Sequence, residues 1–306
     1  MALNADNLLD RMHLKSQVKK WRTIAIVVLV GMAVFILEGL DGTSAIEREY
    51  VARITIEGVI IDDADRDAIL NEIRDNAKIK AVIVRLDTPG GSAIGGEEIY
   101  LKLREVAKVK PVVAVLRTMS TSAGYLAAVG ADHIFAREGT ITGSIGVIIQ
   151  MAEVTELAEK LGIKPITVKS APLKGTPSPF EKFSPEAQQA MESVVRDFSD
   201  IFVDIVSERR QLPREKVVAL ADGRVYTGRQ AFQEKLVDAI GGEEEALSWL
   251  VKNKNIDKAL AVKDVALKKE GISWLDGLSE SVIEKVLPES MVRLDGLISI
   301  WHPHLK

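Results

Sequence analysis

Short apolar runs alternate along this chain with segments whose apolar residues recur at three- and four-residue spacing. Residues 51–58 alternate apolar and polar and predict a strand. Residues 79–86 (IKAVIVRL) and 112–116 predict two more, with the β-branched content of strands buried on both faces. Between them, Ile69, Leu70 and Ile73 mark a helix over 65–77, and Ile99, Leu101, Leu103 and Val106 another over 97–107. His133-Ile134-Phe135-Ala136 reads as a further strand. This alternation predicts parallel β-α-β units with right-handed crossovers, whose ligands bind at the carboxyl ends of the strands.

The run at 112–116 changes character at Ser120-Thr121-Ser122 and resumes as the helix-compatible Ala123-Gly124-Tyr125-Leu126-Ala127-Ala128. A serine at a strand-to-helix junction sits where unpaired N–H groups and the helix dipole favour developing negative charge, a good place for a nucleophile. The same position suits an ordinary helix cap. The pattern alone leaves both readings open.

Further on, the pattern predicts a turn and short strand over 140–147, a helix over 153–161 and a strand over 164–169. A loop with three prolines follows at 171–179. Ser184 and Pro185 then open a helix reaching to about residue 210, with Met191, Val194, Phe198 and Phe202 on its apolar side. Residues 272–298 carry an amphipathic set broken at Pro288, which reads as packing within the protein or its oligomer.

The N-terminal end has a different character. Residues 23–37 (TIAIVVLVGMAVFIL) carry no charge, and 21–40 approach one bilayer crossing. Arg11, Lys15, Lys19, Lys20 and Arg22 precede this stretch, and Glu38, Asp41, Glu47 and Glu49 follow it. The positive-inside rule places residues 1–22 in the cytoplasm, a single transmembrane anchor over 23–40, and the remainder outside. A cleaved signal peptide, with Thr43-Ser44-Ala45 as a loose cleavage site, is the competing reading.

Composition narrows the chemistry. The 306 residues are 47% apolar, enough for one large core or two modest ones. A net charge of −4, well mixed along the chain, gives no footprint for nucleic acid. The cysteine count of zero excludes disulfides, cysteine nucleophiles and thiolate metal sites. A serine nucleophile needs a base, and the four histidines are poor candidates. His13 is cytoplasmic on the predicted topology, His302 and His304 lie in the tail, and His133 begins a strand, where it reads as structural. Lysine serves as base when desolvation lowers its pKa into the working range. Lys174, set between Pro172 and Pro177, is the candidate, against the alternative of a solvated loop lysine. Gly90-Gly91 lets backbone N–H groups approach an oxyanion closely, with Ala123 as the second donor, although a Pro-Gly turn ending a strand is also common.

Four motifs occur in order: Leu86-Asp87-Thr88-Pro89-Gly90-Gly91, Ser120-Thr121-Ser122-Ala123-Gly124-Tyr125, Thr142-Gly143-Ser144-Ile145-Gly146-Val147 and Ser170-Ala171-Pro172-Leu173-Lys174. Together with Val225-Tyr226-Thr227-Gly228 and Leu236-Val237-Asp238, they resemble the signal peptide peptidase A family of membrane-bound serine proteases. The resemblance covers residues 50–250, leaving 251–306 as a C-terminal extension of unassigned role. It implies a Clp-protease/crotonase-like α/β fold of β-α-β units and a Ser-Lys dyad of Ser122 and Lys174. Gly90, Gly91 and Ala123 would form the oxyanion hole, and Ser144 would orient the lysine. It further implies no metal or organic cofactor, peptide substrates such as cleaved signal peptides, and a homo-oligomer at the cytoplasmic (inner) membrane with active sites shared between subunits.

Three departures stand out. Ala123 replaces the family's usual glycine after the nucleophile, Asp87-Thr88 replaces a common Asn-Ser, and Ala171 replaces a glycine before the lysine. Because oxyanion donors are backbone groups, the change at Asp87-Thr88 is expected to matter little. Three other readings remain: a stomatin-cleaving membrane Ser-Lys protease, a non-catalytic scaffold of the same fold, and a crotonase-like acyl-CoA enzyme. Export of the domain argues against the last.

Overall fold

The computed structural model describes residues 20–22, 24–30, 32 and 48–267, and the backbone of 298–300. The chain divides into two units, Met1–Arg48 and Glu49–Lys306. In the first, the described residues 20–22, 24–30 and 32 are helical and exposed. No helix among the described residues is long and apolar enough to cross a membrane. Residues 23, 31 and 33–40 of the predicted anchor lie outside the described residues, as does most of the predicted amphipathic stretch at 272–298.

The second unit is built on one sheet. Its strands are β1 (Tyr50–Ile60), β2 (Ile79–Ser92), β3 (Val112–Thr121), β4 (His133–Ala136), β5 (Ile141–Gly143), β6 (Val225–Thr227), β7 (Ala239–Ile240), β8 (Ala261–Asp264) and β9 (Ile298–Ile300). Strands β1, β2 and β3 run parallel, as the β-α-β pattern predicts, with β8 parallel on the outer edge of β1. The main path is β6-β5-β3-β2-β1-β8. β3 changes partner along its length. Val113–Leu116 pair with β4, and Met119–Thr121 pair with β5.

The helices are α1 (Ala64–Asp75), α2 (Ala93–Ala107), α3 (Ala123–Ala128), α4 (Thr155–Lys160), α5 (Pro185–Arg210), α6 (Arg214–Leu220), α7 (Gly228–Gln233) and α8 (Glu243–Lys254). Alternate strand residues feed two apolar clusters. Ile54, Val84, Ala114 and Leu116 join residues of α1, α2, α3 and α5 in the larger one. Val51, Ile83, Val113 and Val115 join Ala246 and Leu250 of α8 in the smaller. Both faces are thus covered along the central strands, which explains their near-continuous apolar sequence. Arg53 of β1 ties the C-terminal edge in place, bonding Asp264 at 2.5 Å and Glu243 at 2.7 Å.

Two predicted elements are corrected. The Pro-Gly turn that would end a strand at Pro89-Gly90 is extended chain instead: β2 runs on through Pro89, Gly90 and Gly91 to Ser92, with a register irregularity between Leu86 and Thr88. It is held there by β1 on one side and by the antiparallel backbone of β9 at Gly90–Ser92. The strand expected at 164–169 does not form. Its alternation finds no ladder partner, and Ile166 and Val168 stand 90% and 94% exposed.

Candidate active site

The sheet register sets the first three motifs side by side. Thr88 of β2 pairs with Ser120 of β3, Ser120 with Thr142 of β5, and Thr121 with Gly143. Side chains reinforce the ladder. Thr121 Oγ1 donates to the Pro89 carbonyl at 2.9 Å, and Thr142 Oγ1 to the Ser120 carbonyl at 2.7 Å.

Ser122 follows the last residue of β3 and precedes the first of α3. Its backbone is at φ 56°, ψ −119°, a region that L-residues rarely enter and that costs about 1–3 kcal/mol to hold. Two hydrogen bonds fix it: its N–H donates to the Gly143 carbonyl at 2.8 Å, and its own carbonyl accepts from Leu126 N–H at 2.9 Å. The helix-cap alternative can now be tested. Asp63, Ser92, Ser184 and Thr227 each accept an N–H of the helix they precede, but Ser122 makes no such bond. Among the described residues its hydroxyl has no hydrogen-bond partner at all. Ser122 is not capping its helix.

Beside it, the Pro89-Gly90-Gly91 segment passes close to β1. A Cβ on Gly91 would lie 1.8 Å from the Ile60 carbonyl oxygen, so only glycine fits. Gly90 has a committed amide, its N–H donating to Thr88 Oγ1 at 3.0 Å. Thr88 Oγ1 in turn donates to the Gly58 carbonyl of β1 at 2.5 Å. Local pattern carries no sign of this bond, because the accepting carbonyl is thirty positions away. Thr88 thus organises the glycine segment through a hydroxyl that the family's usual serine also carries. Ala123, at the first position of α3, carries an N–H with no intrahelical acceptor.

Ser144 is also strained, at φ 51°, with its N–H donating to the Arg224 carbonyl at 2.8 Å and its side chain buried. Lys174 lies in the irregular chain between α4 and α5 and is exposed. Its N–H bonds the Ala171 carbonyl at 3.1 Å, while its ammonium has no partner among the described residues. No hydrogen bond joins Lys174 to Ser122. The register thus unites Ser122, Ser144 and the glycine segment of β2, but does not link the lysine to them.

A small apolar pocket adjoins the serine. Ala123 and Leu126 of α3, Ala93 and Glu97 of α2, and Phe198 and Phe202 of α5 line it. His133 is structural, as its sequence context predicts. It stacks on Trp249 at 4.5 Å, with Asp238 at 4.0 Å, and burial lowers its pKa. Among the described residues no group of three or more His, Cys, Asp or Glu is placed to hold a metal ion.

A strained, uncapped serine at a strand–helix junction beside a glycine-bearing strand end is an arrangement suited to acyl transfer, and the protein is a serine-type peptidase. Residues 104–257 match the model of peptidase family S49, half of the chain, and the chain belongs to that family. A protein of Synechocystis provisionally named a protease is 39% identical over 204 residues, covering 66% of this chain and 73% of its own length. One from Enterococcus faecium, provisionally named the signal peptide peptidase SppA, is 34% identical over 227 residues, covering 70% and 66%. The chloroplastic serine protease SPPA of Arabidopsis thaliana is 32% identical over 220 residues, covering 70% of this chain but 32% of its own.

Proposed function

We propose that the protein is a membrane-anchored endopeptidase with a Clp-protease/crotonase-like catalytic domain, in which Ser122 is the nucleophile and Lys174 the general base. The observation that carries this reading is the free hydroxyl of Ser122, held at a strained backbone position that a mere cap would not need. The amine of Lys174 takes the Ser122 proton as Oγ attacks the peptide carbonyl carbon. The N–H groups of Gly91 and Ala123 receive the oxyanion, since the Gly90 N–H already serves Thr88. The lysine ammonium then protonates the departing amine, leaving an acyl-enzyme. Water then attacks the ester carbonyl carbon, giving a proton to Lys174, and the ammonium returns that proton to Ser122 Oγ as the ester C–O bond breaks and the acid departs. Ser144 orients the lysine.

Lys174 is supplied by a neighbouring subunit. Its exposed, unpartnered ammonium and the exposed Ile166 and Val168 in the same stretch support an assembly that covers this surface. Substrates are extended apolar peptides, cleaved signal peptides among them. The apolar pocket beside Ala123 supports a small apolar side chain next to the scissile bond. The apolar stretch at 23–40 anchors the chain in the cytoplasmic membrane, with residues 1–22 inside and the catalytic domain over 50–250 outside.

The test uses the full-length protein in detergent with a fluorogenic signal-peptide substrate. Ser122→Ala and Lys174→Ala each abolish cleavage. Ser120→Ala retains it, at wild-type stability or above, because Ser120 Oγ is buried without a partner. Mixing the two inactive variants under conditions that let subunits exchange restores part of the activity if the dyad is shared. Cleavage surviving Ser122→Ala would sink the proposal, and no recovery on mixing would place Lys174 on the same subunit as its serine.

A further inference from the structure

We infer that Thr88 is a positioning residue that sets the gap between the two oxyanion donors, one of its side-chain arms acting on each. The inference rests on the active-site reading above and adds a residue to it. The first arm is the hydroxyl. Oγ1 accepts the Gly90 N–H at 3.0 Å and donates to the Gly58 carbonyl at 2.5 Å, clamping the glycine segment of β2 to β1. The second arm is the methyl. Cγ2 lies 2.5 Å from where a Cβ on Gly124 would stand, so it abuts the first turn of α3, one residue past Ala123.

Threonine is suited to this double duty. Branching at Cβ leaves χ1 stiff, so the hydroxyl and methyl hold a fixed angle to each other. Thr88 is 1% exposed and its backbone pairs with Ser120, so the side chain has little freedom to swing away. Serine keeps the hydroxyl but drops the methyl, and valine does the reverse. The requirement for glycine at 124 follows from the same contact: an added methyl would meet the Cγ2 methyl of Thr88, held on a stiff β-branched side chain rather than at the tip of a flexible one.

The two arms can be tested separately in the full-length protein, by kcat and KM on the fluorogenic peptide and by thermal melts. Thr88→Val lowers kcat by about 100-fold with KM nearly unchanged, the signature of a misplaced reacting geometry rather than lost binding. Gly124→Ala lowers kcat comparably, and adding Thr88→Ser to it recovers about 10-fold, because removal of the methyl makes room for the new one. A purely structural role for Thr88 moves the melting temperature without that kcat–KM split or that recovery. Wild-type kcat in Thr88→Val, or a double variant no better than Gly124→Ala, overturns the inference while leaving Ser122 as nucleophile. Should Thr88→Val fail to fold, the Gly124 pair decides. Ser122→Ala run alongside separates the two levels: turnover there overturns the active-site reading itself.

Discussion

Thr121 Oγ1 donates to the carbonyl of Pro89 across 2.9 Å, fastening the residue before Ser122 to the strand segment that carries the glycines. Thr121 is completely buried, so the bond is made away from water. Thr121→Val keeps the shape and removes the donor, leaving the Pro89 carbonyl unpaired. The expected cost is about 1–3 kcal/mol of stability, with a fall in kcat beyond what the unfolded fraction explains. Denaturant titration and kcat on the same sample check this, and Thr121→Ser should restore both.

Tyr125 reaches from α3 to the chain before β7, its hydroxyl donating to the Leu236 carbonyl at 2.8 Å. The ring is completely buried, and burial holds the phenol pKa far above its usual range, so it stays a neutral donor. Tyr125→Phe orphans the Leu236 carbonyl and should lower the urea midpoint by an amount equivalent to about 1–3 kcal/mol. An unchanged midpoint would show that the carbonyl finds another donor.

His133 makes the fold sensitive to acid. Burial lowers its pKa below the usual 6.5, against the pull of Asp238 and with the help of Arg210. The fold therefore favours the neutral ring. This contribution is complete above about pH 6.5 and is lost as the pH falls through the folded-state pKa. Stability should decline from pH 7 to pH 5 more steeply in the wild type than in His133→Phe, which keeps a ring against Trp249. Parallel declines in the two proteins would assign the acid sensitivity to other groups.

Much of this was legible in the sequence. The apolar runs at 79–86 and 112–116 marked central strands because burial on both faces leaves no polar positions to confuse the period. The break at Ser120-Thr121-Ser122 marked the strand–helix junction for the same reason. What failed depended on partners distant in sequence. Residues 87–92 look like a turn locally, yet remain extended because β1 and β9 flank them. Residues 164–169 alternate like a strand, yet pair with no strand among the described residues. The start of α2 was placed late because Gly95 and Gly96 disguise it, although Ser92 caps it by accepting the Gly95 N–H. Neither the backbone strain at Ser122 nor the hydroxyl bonds of Thr88 leave a mark in composition or periodicity.

The outer edge of β1 has a consequence for biogenesis. Tyr50–Arg53 are the first strand residues of the unit to be synthesised, yet their outer partners are Ala261–Asp264. At about 5–20 residues per second of synthesis, the roughly 200 residues in between leave that edge unpaired for roughly ten to forty seconds on each nascent chain. Throughout that interval a row of free backbone donors and acceptors can template pairing with another polypeptide. Arg53 guards it, a charge on the open strand that discourages strangers and later captures Asp264 when the proper partner emerges. The timing of α8 and β8, rather than of the earlier strands β1 to β3, then governs when a newly made chain becomes safe from aggregation.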